Sequence, residues 1–180
     1  MKDQRILITY FSVFSAKDKF TEKFAKVIAD KTGGRLVEIQ CATKYPQEPS
    51  KYPEIEKMAY QERDSDARPA IMNEIPIADA DVIFVGYPIW CYTLPQVMFT
   101  LFDRYDFSGK TIIPFNTHEG SGDGGTYETI QKLEPGAKVL DGLAIRGFDM
   151  EKDQDAVIEQ WLKKLGFNCI TADFFHSPML

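Results

Sequence analysis

Short β-prone apolar runs alternate along this chain with stripes of helical period. Residues 5–11, Arg5-Ile6-Leu7-Ile8-Thr9-Tyr10-Phe11, predict a central strand. A loop follows at Ser12. Phe20, Phe24, Val27 and Ile28 then share one face of a helix that ends at Gly33-Gly34. Residues 35–39 read as a second strand. Residues 82–86, Val-Ile-Phe-Val-Gly, carry no alternation, as expected of a strand covered on both faces in a parallel sheet. Tyr87-Pro88 is expected to break it. Pro95 suits the first position of a helix, with Leu94, Val97, Met98, Leu101 and Phe102 recurring at helical spacing. After the turn at Ser108-Gly109, residues 111–116 predict a strand whose Pro114 removes one ladder N–H, which weighs against a central position. Residues 139–145 predict the last strand. Residues 155–165 predict a helix with Val157, Ile158, Trp161, Leu162 and Leu165 inward, closed by Gly166. The alternation of strand and helix predicts a three-layer α/β sandwich.

Two stretches fall outside that rhythm. Residues 41–80 hold Pro46, Pro49, Pro53, Pro69 and Pro76 and many charges, with a short helix expected over 54–62 behind Pro53. This is too long for a simple crossover and reads as an elaboration on one face of the sheet, forming either a wall of a ligand site or an interface. In the tail, 167–180, Phe174-Phe175-His176 is too apolar for a solvated end and is expected to pack on the domain or on a second copy in a homodimer.

Composition narrows the class of function. The 180 residues are 44% hydrophobic and 27% charged, ordinary for a single globular domain spanning 1–180, and the net charge of −6 argues against nucleic-acid and acidic-membrane partners. It leaves room for docking to a basic protein surface. Met1-Lys2-Asp3-Gln4-Arg5 leads into an apolar run too short for a signal-peptide core, so a cytoplasmic location is expected. Cys41, Cys91 and Cys169 are odd in number and far apart, against a disulfide framework or a cysteine metal cage. His118 and His176 are the only histidines, against a multi-histidine metal site.

The candidate chemistry sits at the turn Pro88-Ile89-Trp90-Cys91-Tyr92. It places an indole and a phenol at the carboxyl end of a buried strand, where open α/β sheets bind ligands. Such a turn also serves simply to cap a core, and Cys91 reads more readily as small apolar filler than as a reactive thiol. The wider pattern decides between these readings. Gly86-Tyr87-Pro88-Ile89-Trp90 with Leu94-Pro95, then 105–111, Pro114-Phe115 and Thr117-His118-Glu119-Gly120-Ser121-Gly122, resembles in order and spacing the flavodoxin-like family of FMN-binding proteins. The resemblance implies a five-stranded parallel sheet of order 2-1-3-4-5 and FMN as cofactor. It also implies that the aromatic turn lies against the isoalloxazine ring, with stacking by Trp90 and Tyr92, while Thr117 and the backbone of His118, Glu119, Gly120, Ser121 and Gly122 line its other side. The partner would be a redox protein or a nicotinamide cofactor.

The chain departs from the family at the phosphate loop. The family pattern Ser/Thr-x-Thr-Gly-Asn-Thr carries a glycine, whereas 12–21 has none and is about four residues longer. Ser12 and Thr21 match the first and last hydroxyls of that pattern. Ser15, Lys17 and Lys19 are candidates by chemistry and position only, and Ser15-Ala16-Lys17-Asp18 also reads as a simple helix cap. Three functions compete. The first is an FMN-dependent redox protein, either carrier or small reductase. The second is a dinucleotide-binding enzyme, since residues 120–125 satisfy G-x-G-x-x-G, although late in the chain and with Asp123 set against a pyrophosphate. The third is a binding module that kept the fold and lost the cofactor.

Overall fold

A computed structural model describes residues 4–13 and 19–170. Ser15 and Lys17, the expected cap at Ser15, and the tail cluster Phe174-Phe175-His176 lie outside the described residues. Strands β1 (Ile6–Tyr10), β2 (Arg35–Glu38), β3 (Val82–Pro88), β4 (Thr111–His118), β5 (Lys138–Val139) and β6 (Leu143–Arg146) form one sheet. Every pairing is parallel and the order is β2-β1-β3-β4-β5, with β6 also paired to β4. Helices α1 (Phe20–Thr32), α2 (Tyr52–Asp64), α3 (Gln96–Arg104) and α4 (Thr126–Leu133) each lead from one strand to the next from β1 to β5, and α5 (Asp155–Lys164) follows β6.

Side-chain alternation along the strands sorts the core into two clusters. Leu7, Phe11, Ile83, Val85, Tyr87 and Ile112 pack with Ile55 and Ala59 of α2, Val97, Met98, Leu101 and Phe102 of α3, and Ile130 of α4. Ile8, Tyr10, Phe84, Ile113 and Phe115 pack with Phe24, Ala25 and Ile28 of α1 and with Ile158, Trp161 and Leu162 of α5. This is the expected three-layer sandwich. Close approach across β3 and β4 requires Gly86: an added Cβ there would come within 2.1 Å of the Phe115 ring, which itself meets Phe24 in a tilted contact at 4.9 Å.

Five sequence expectations are corrected. Tyr87-Pro88 does not break β3. Tyr87 is fully buried and pairs with Asn116, while proline is tolerated at the terminal position Pro88, paired with Thr117. The last strand is split in two. Ile112, whose carbonyl accepts from Leu140 at 2.9 Å, faces the edge strand, so Pro114, two residues on, turns its missing N–H to the same side. Leu140, Asp141 and Gly142 bulge there, between the Ile112–Val139 and Phe115–Leu143 pairs. Proline therefore does not demote β4, which lies inside the sheet, but interrupts its edge neighbour. Val157 is 47% exposed, because Ile158, Trp161 and Leu162 centre the buried face of α5 and Val157 lies about a quarter-turn away. Finally, α2 is longer than 54–62, since the turn Pro49–Lys51 leads directly into it with proline in its first turn.

Candidate functional site

The carboxyl ends of β1, β3 and β4 open into one cleft with two chambers. The narrow one, about 70 Å³, is lined by Ser12 and Val13 after β1, Phe20 and Thr21 at the start of α1, Pro88 to Trp90 after β3, Thr117 to Glu119 at the end of β4, and Tyr52. The wide one, about 360 Å³, lies between the turn Ile89 to Tyr92, the loop Glu119 to Ser121, and Tyr52, Ile55, Glu56, Ala59 and Tyr60 of α2. Tyr52, Ile89, Trp90 and Glu119 line both chambers, so the two adjoin. The wide chamber alone falls within the range of small-molecule sites, about 300–1,000 Å³.

Backbone geometry fixes the aromatic turn. Trp90 and Thr93 exchange both backbone hydrogen bonds, at 3.0 and 2.9 Å, with Cys91 and Tyr92 between them at φ of 50° and 62°. Two consecutive non-glycine residues in the left-handed region carry strain, which the closed turn holds in place. The result sends the two aromatic residues to different places. Trp90 is 8% exposed and forms the floor of both chambers, whereas Tyr92 is 76% exposed at the mouth of the wide one. Burial raises the Cys91 thiol pKa, which makes it a poor thiolate.

The glycine-dense loop after β4 is tied down. Gly120 donates its N–H to His118 Nδ1 at 2.9 Å, and Asn116 Nδ2 donates to the Gly122 carbonyl at 3.0 Å. Tyr127 donates to Asn116 Oδ1 at 2.5 Å, and the Tyr87 and Thr126 hydroxyls meet at 2.8 Å. Positive φ at Gly120, Gly122, Gly124 and Gly125 lets the backbone turn this tightly. Glu119, Gly120 and Ser121 therefore present a fixed edge to the wide chamber, while Gly122 turns to a separate open groove beside Tyr127 and Asp141. The loop does join a strand to a helix, but among the described residues only two strands, β5 and β6, follow it.

At the narrow end, the hydroxyls of Thr21 and Thr117 share a buried hydrogen bond of 2.8 Å that joins α1 to β4. Lys19, at the N-cap of α1, makes no side-chain cap. Its ammonium lies 3.3 Å from Glu38 and 3.4 Å from Glu22 instead of entering the cleft. Burial pulls the Lys19 pKa down, but Glu38 and Glu22 outweigh it and the net shift is upward. Burial pushes the His118 pKa below its usual value, aided by Arg146 and opposed by Glu119 and Asp149. Burial raises that of Tyr52, with Glu56 and Glu119 adding to it.

Of the sequence candidates, Ser12, Thr21, Pro88, Ile89, Trp90, Cys91, Tyr92, Thr117, His118, Glu119, Gly120 and Ser121 line the cleft, whereas Lys19 and Gly122 do not. Sequence reasoning offered segment 41–80 as a wall or an interface but named none of the α2 residues that line the cleft. Tyr52, Ile55, Glu56, Ala59 and Tyr60 stand at i, i+3, i+4, i+7 and i+8, a helical stripe visible in the sequence, although nothing in its period says that it covers a cleft rather than a core.

Comparison with known proteins places this arrangement. In a search of curated proteins, no match was found for the chain. Among solved structures, it is similar to a candidate flavoprotein from Bacteroides uniformis, at 28% identity over 89% of this chain and 98% of that one, with a TM-score of 0.75. A candidate flavoprotein from Bacteroides eggerthii gives 27% identity, coverage of 89% and 97%, and a TM-score of 0.71. A flavoprotein in complex with FMN from Lactobacillus acidophilus, at 17% identity, coverage of 88% and 98% and a TM-score of 0.64, shares the fold. The flavodoxin family matches residues 5–165, nearly the whole described chain, and by that match, on a parallel sheet of order 2-1-3-4-5, the chain belongs to the flavodoxin family.

Proposed function

We propose that this chain binds FMN in the two-chambered cleft and works as a redox protein, either an electron carrier or a small NAD(P)H-dependent reductase. The observation that carries the reading is the meeting of a narrow chamber, which carries the hydroxyls of Ser12, Thr21 and Thr117 at the start of α1, with a wide aromatic one at the Trp90 turn, the shape of a molecule with an anionic tail and a flat ring. The donor set fits both ends. Ser12, Thr21 and the N-terminal turn of α1 suit a phosphate, helped by the helix dipole. Thr117 and His118 suit the hydroxyls of a ribityl chain. Trp90, Tyr52 and the Glu119 to Ser121 backbone suit the faces and edge of a flavin ring. Bound there, the flavin supplies the electron and hydride chemistry, while the protein orients it and excludes water from one side.

Tyr92 at the mouth leaves the ring edge within reach of a nicotinamide or a partner protein. The absorbance of the purified protein tests the reading. An oxidised-flavin spectrum, present at purification or acquired on adding FMN, is expected. A protein that stays colourless with excess FMN supports a module that has lost its cofactor. Turnover of NADH or NADPH by the loaded protein marks a reductase, and none marks a carrier.

A further inference from the structure

Segment 41–80 also reaches behind the cleft. Tyr45, 6% exposed, meets the Trp90 indole edge-on at 5.0 Å, and Phe11 meets both, at 5.4 Å from Trp90 and 5.9 Å from Tyr45. The Tyr45 hydroxyl lies 2.9 Å from Oε1 and 2.8 Å from Oε2 of Glu62, and the Thr43 hydroxyl donates to Oε1 at 3.2 Å. Burial first, and then Glu62, drive the Tyr45 pKa upward, so the phenol remains a donor. Glu62 stands on α2, the helix whose Tyr52-to-Tyr60 stripe walls the wide chamber, while neither Tyr45 nor Glu62 lines either chamber. One helix therefore fixes the wall directly and reaches the floor through a buried phenol.

We infer that Tyr45 and Glu62 are positioning residues that hold the Trp90 indole as the floor of the cleft. The inference rests on the FMN reading only for its effect on affinity. Edge-on ring contacts restrain the indole only while the Tyr45 ring is itself restrained, and its charge-assisted hydrogen bond to Glu62 supplies that restraint. Removing the bond leaves a carboxylate or a phenol short of a partner beside the indole, so the packing relaxes at Trp90 first.

The test compares Tyr45→Phe, Glu62→Leu and Glu62→Gln. Two signals are read: the tryptophan band in the near-ultraviolet circular dichroism of flavin-free protein, and FMN affinity by titration. Trp161 lies on the opposite face of the sheet, so it gives a constant background. Tyr45→Phe and Glu62→Leu are expected to alter the band and to bind FMN about tenfold more weakly, the scale of one lost charge-assisted hydrogen bond. Glu62→Gln still accepts from both hydroxyls but without charge assistance, so it is expected to fall between wild type and Glu62→Leu in both signals. An unchanged band and unchanged affinity in Tyr45→Phe overturn the inference, whatever happens to the melting temperature. If wild type binds no FMN, the functional reading fails, and the tryptophan band alone still decides the positioning role.

Discussion

Single side chains in this fold carry separable costs. Thr9 is fully buried in β1, and its hydroxyl has no hydrogen-bond partner among the described residues. A buried polar group left in that state costs about 1–3 kcal/mol, and valine keeps the shape without the hydroxyl. Thr9→Val is therefore expected to raise stability by about 1 kcal/mol in urea unfolding, with m unchanged. A lower midpoint would mean that the hydroxyl is satisfied. His118 carries a pH dependence. Its Nδ1 accepts the Gly120 N–H, which only a ring unprotonated at Nδ1 can do. Its folded pKa lies below the ordinary 6.5, mainly through burial, so the unfolded chain takes up a proton first as pH falls. The stability this contributes is complete above about 6.5 and is lost as pH falls from there through the folded pKa. FMN affinity should weaken over the same window, since the loop edge loosens. His118→Asn keeps an acceptor without a titrating ring, so its profile should be flatter, retaining only the titration of the FMN phosphate near about 6. A wild-type profile equally flat would show that the Gly120 contact does not govern the loop.

At the scale of elements, the start of α1 forms the phosphate end of the proposed site. Among the described residues no side chain caps the helix N-terminus, the hydroxyls of Ser12 and Thr21 lie beside it, and the Lys19 ammonium is engaged by Glu38 and Glu22. FMN should therefore bind more tightly than riboflavin, with the gap narrowing as salt screens exposed charge over about 8–10 Å. Lys19→Ala should leave that gap largely intact. Equal affinity for the two flavins at low salt would remove this helix from the site, and loss of the gap in Lys19→Ala would return the lysine to it. Elements were readable from sequence where burial follows a period. The unbroken apolar run of β3 and the stripes of α1 and α3 depend only on which face is covered, and each appears close to its expected bounds. Readability failed where a neighbour decides. The split of the last strand is set by Pro114 on the strand beside it, and the role of α2 by which surface its stripe covers. The aromatic turn was legible as a site, but the burial of Trp90 and exposure of Tyr92 follow from left-handed geometry at Cys91 and Tyr92, which their residue types do not announce.

At the scale of the whole molecule, the sheet brings three strand ends to one edge, and the elaborated segment closes a groove into a chamber by laying α2 across it. The central claim is that this cleft holds FMN with Trp90 as its floor. Titration of flavin-free protein with FMN, followed by quenching of flavin fluorescence, tests it most directly. Saturable binding at one FMN per chain is expected. Trp90→Ala should weaken it by roughly 1–3 kcal/mol, the scale of a lost aromatic contact with its buried area, and Trp90→Phe should fall between. Absence of saturable binding by the wild-type chain, or equal affinity in wild type and Trp90→Ala, would contradict it.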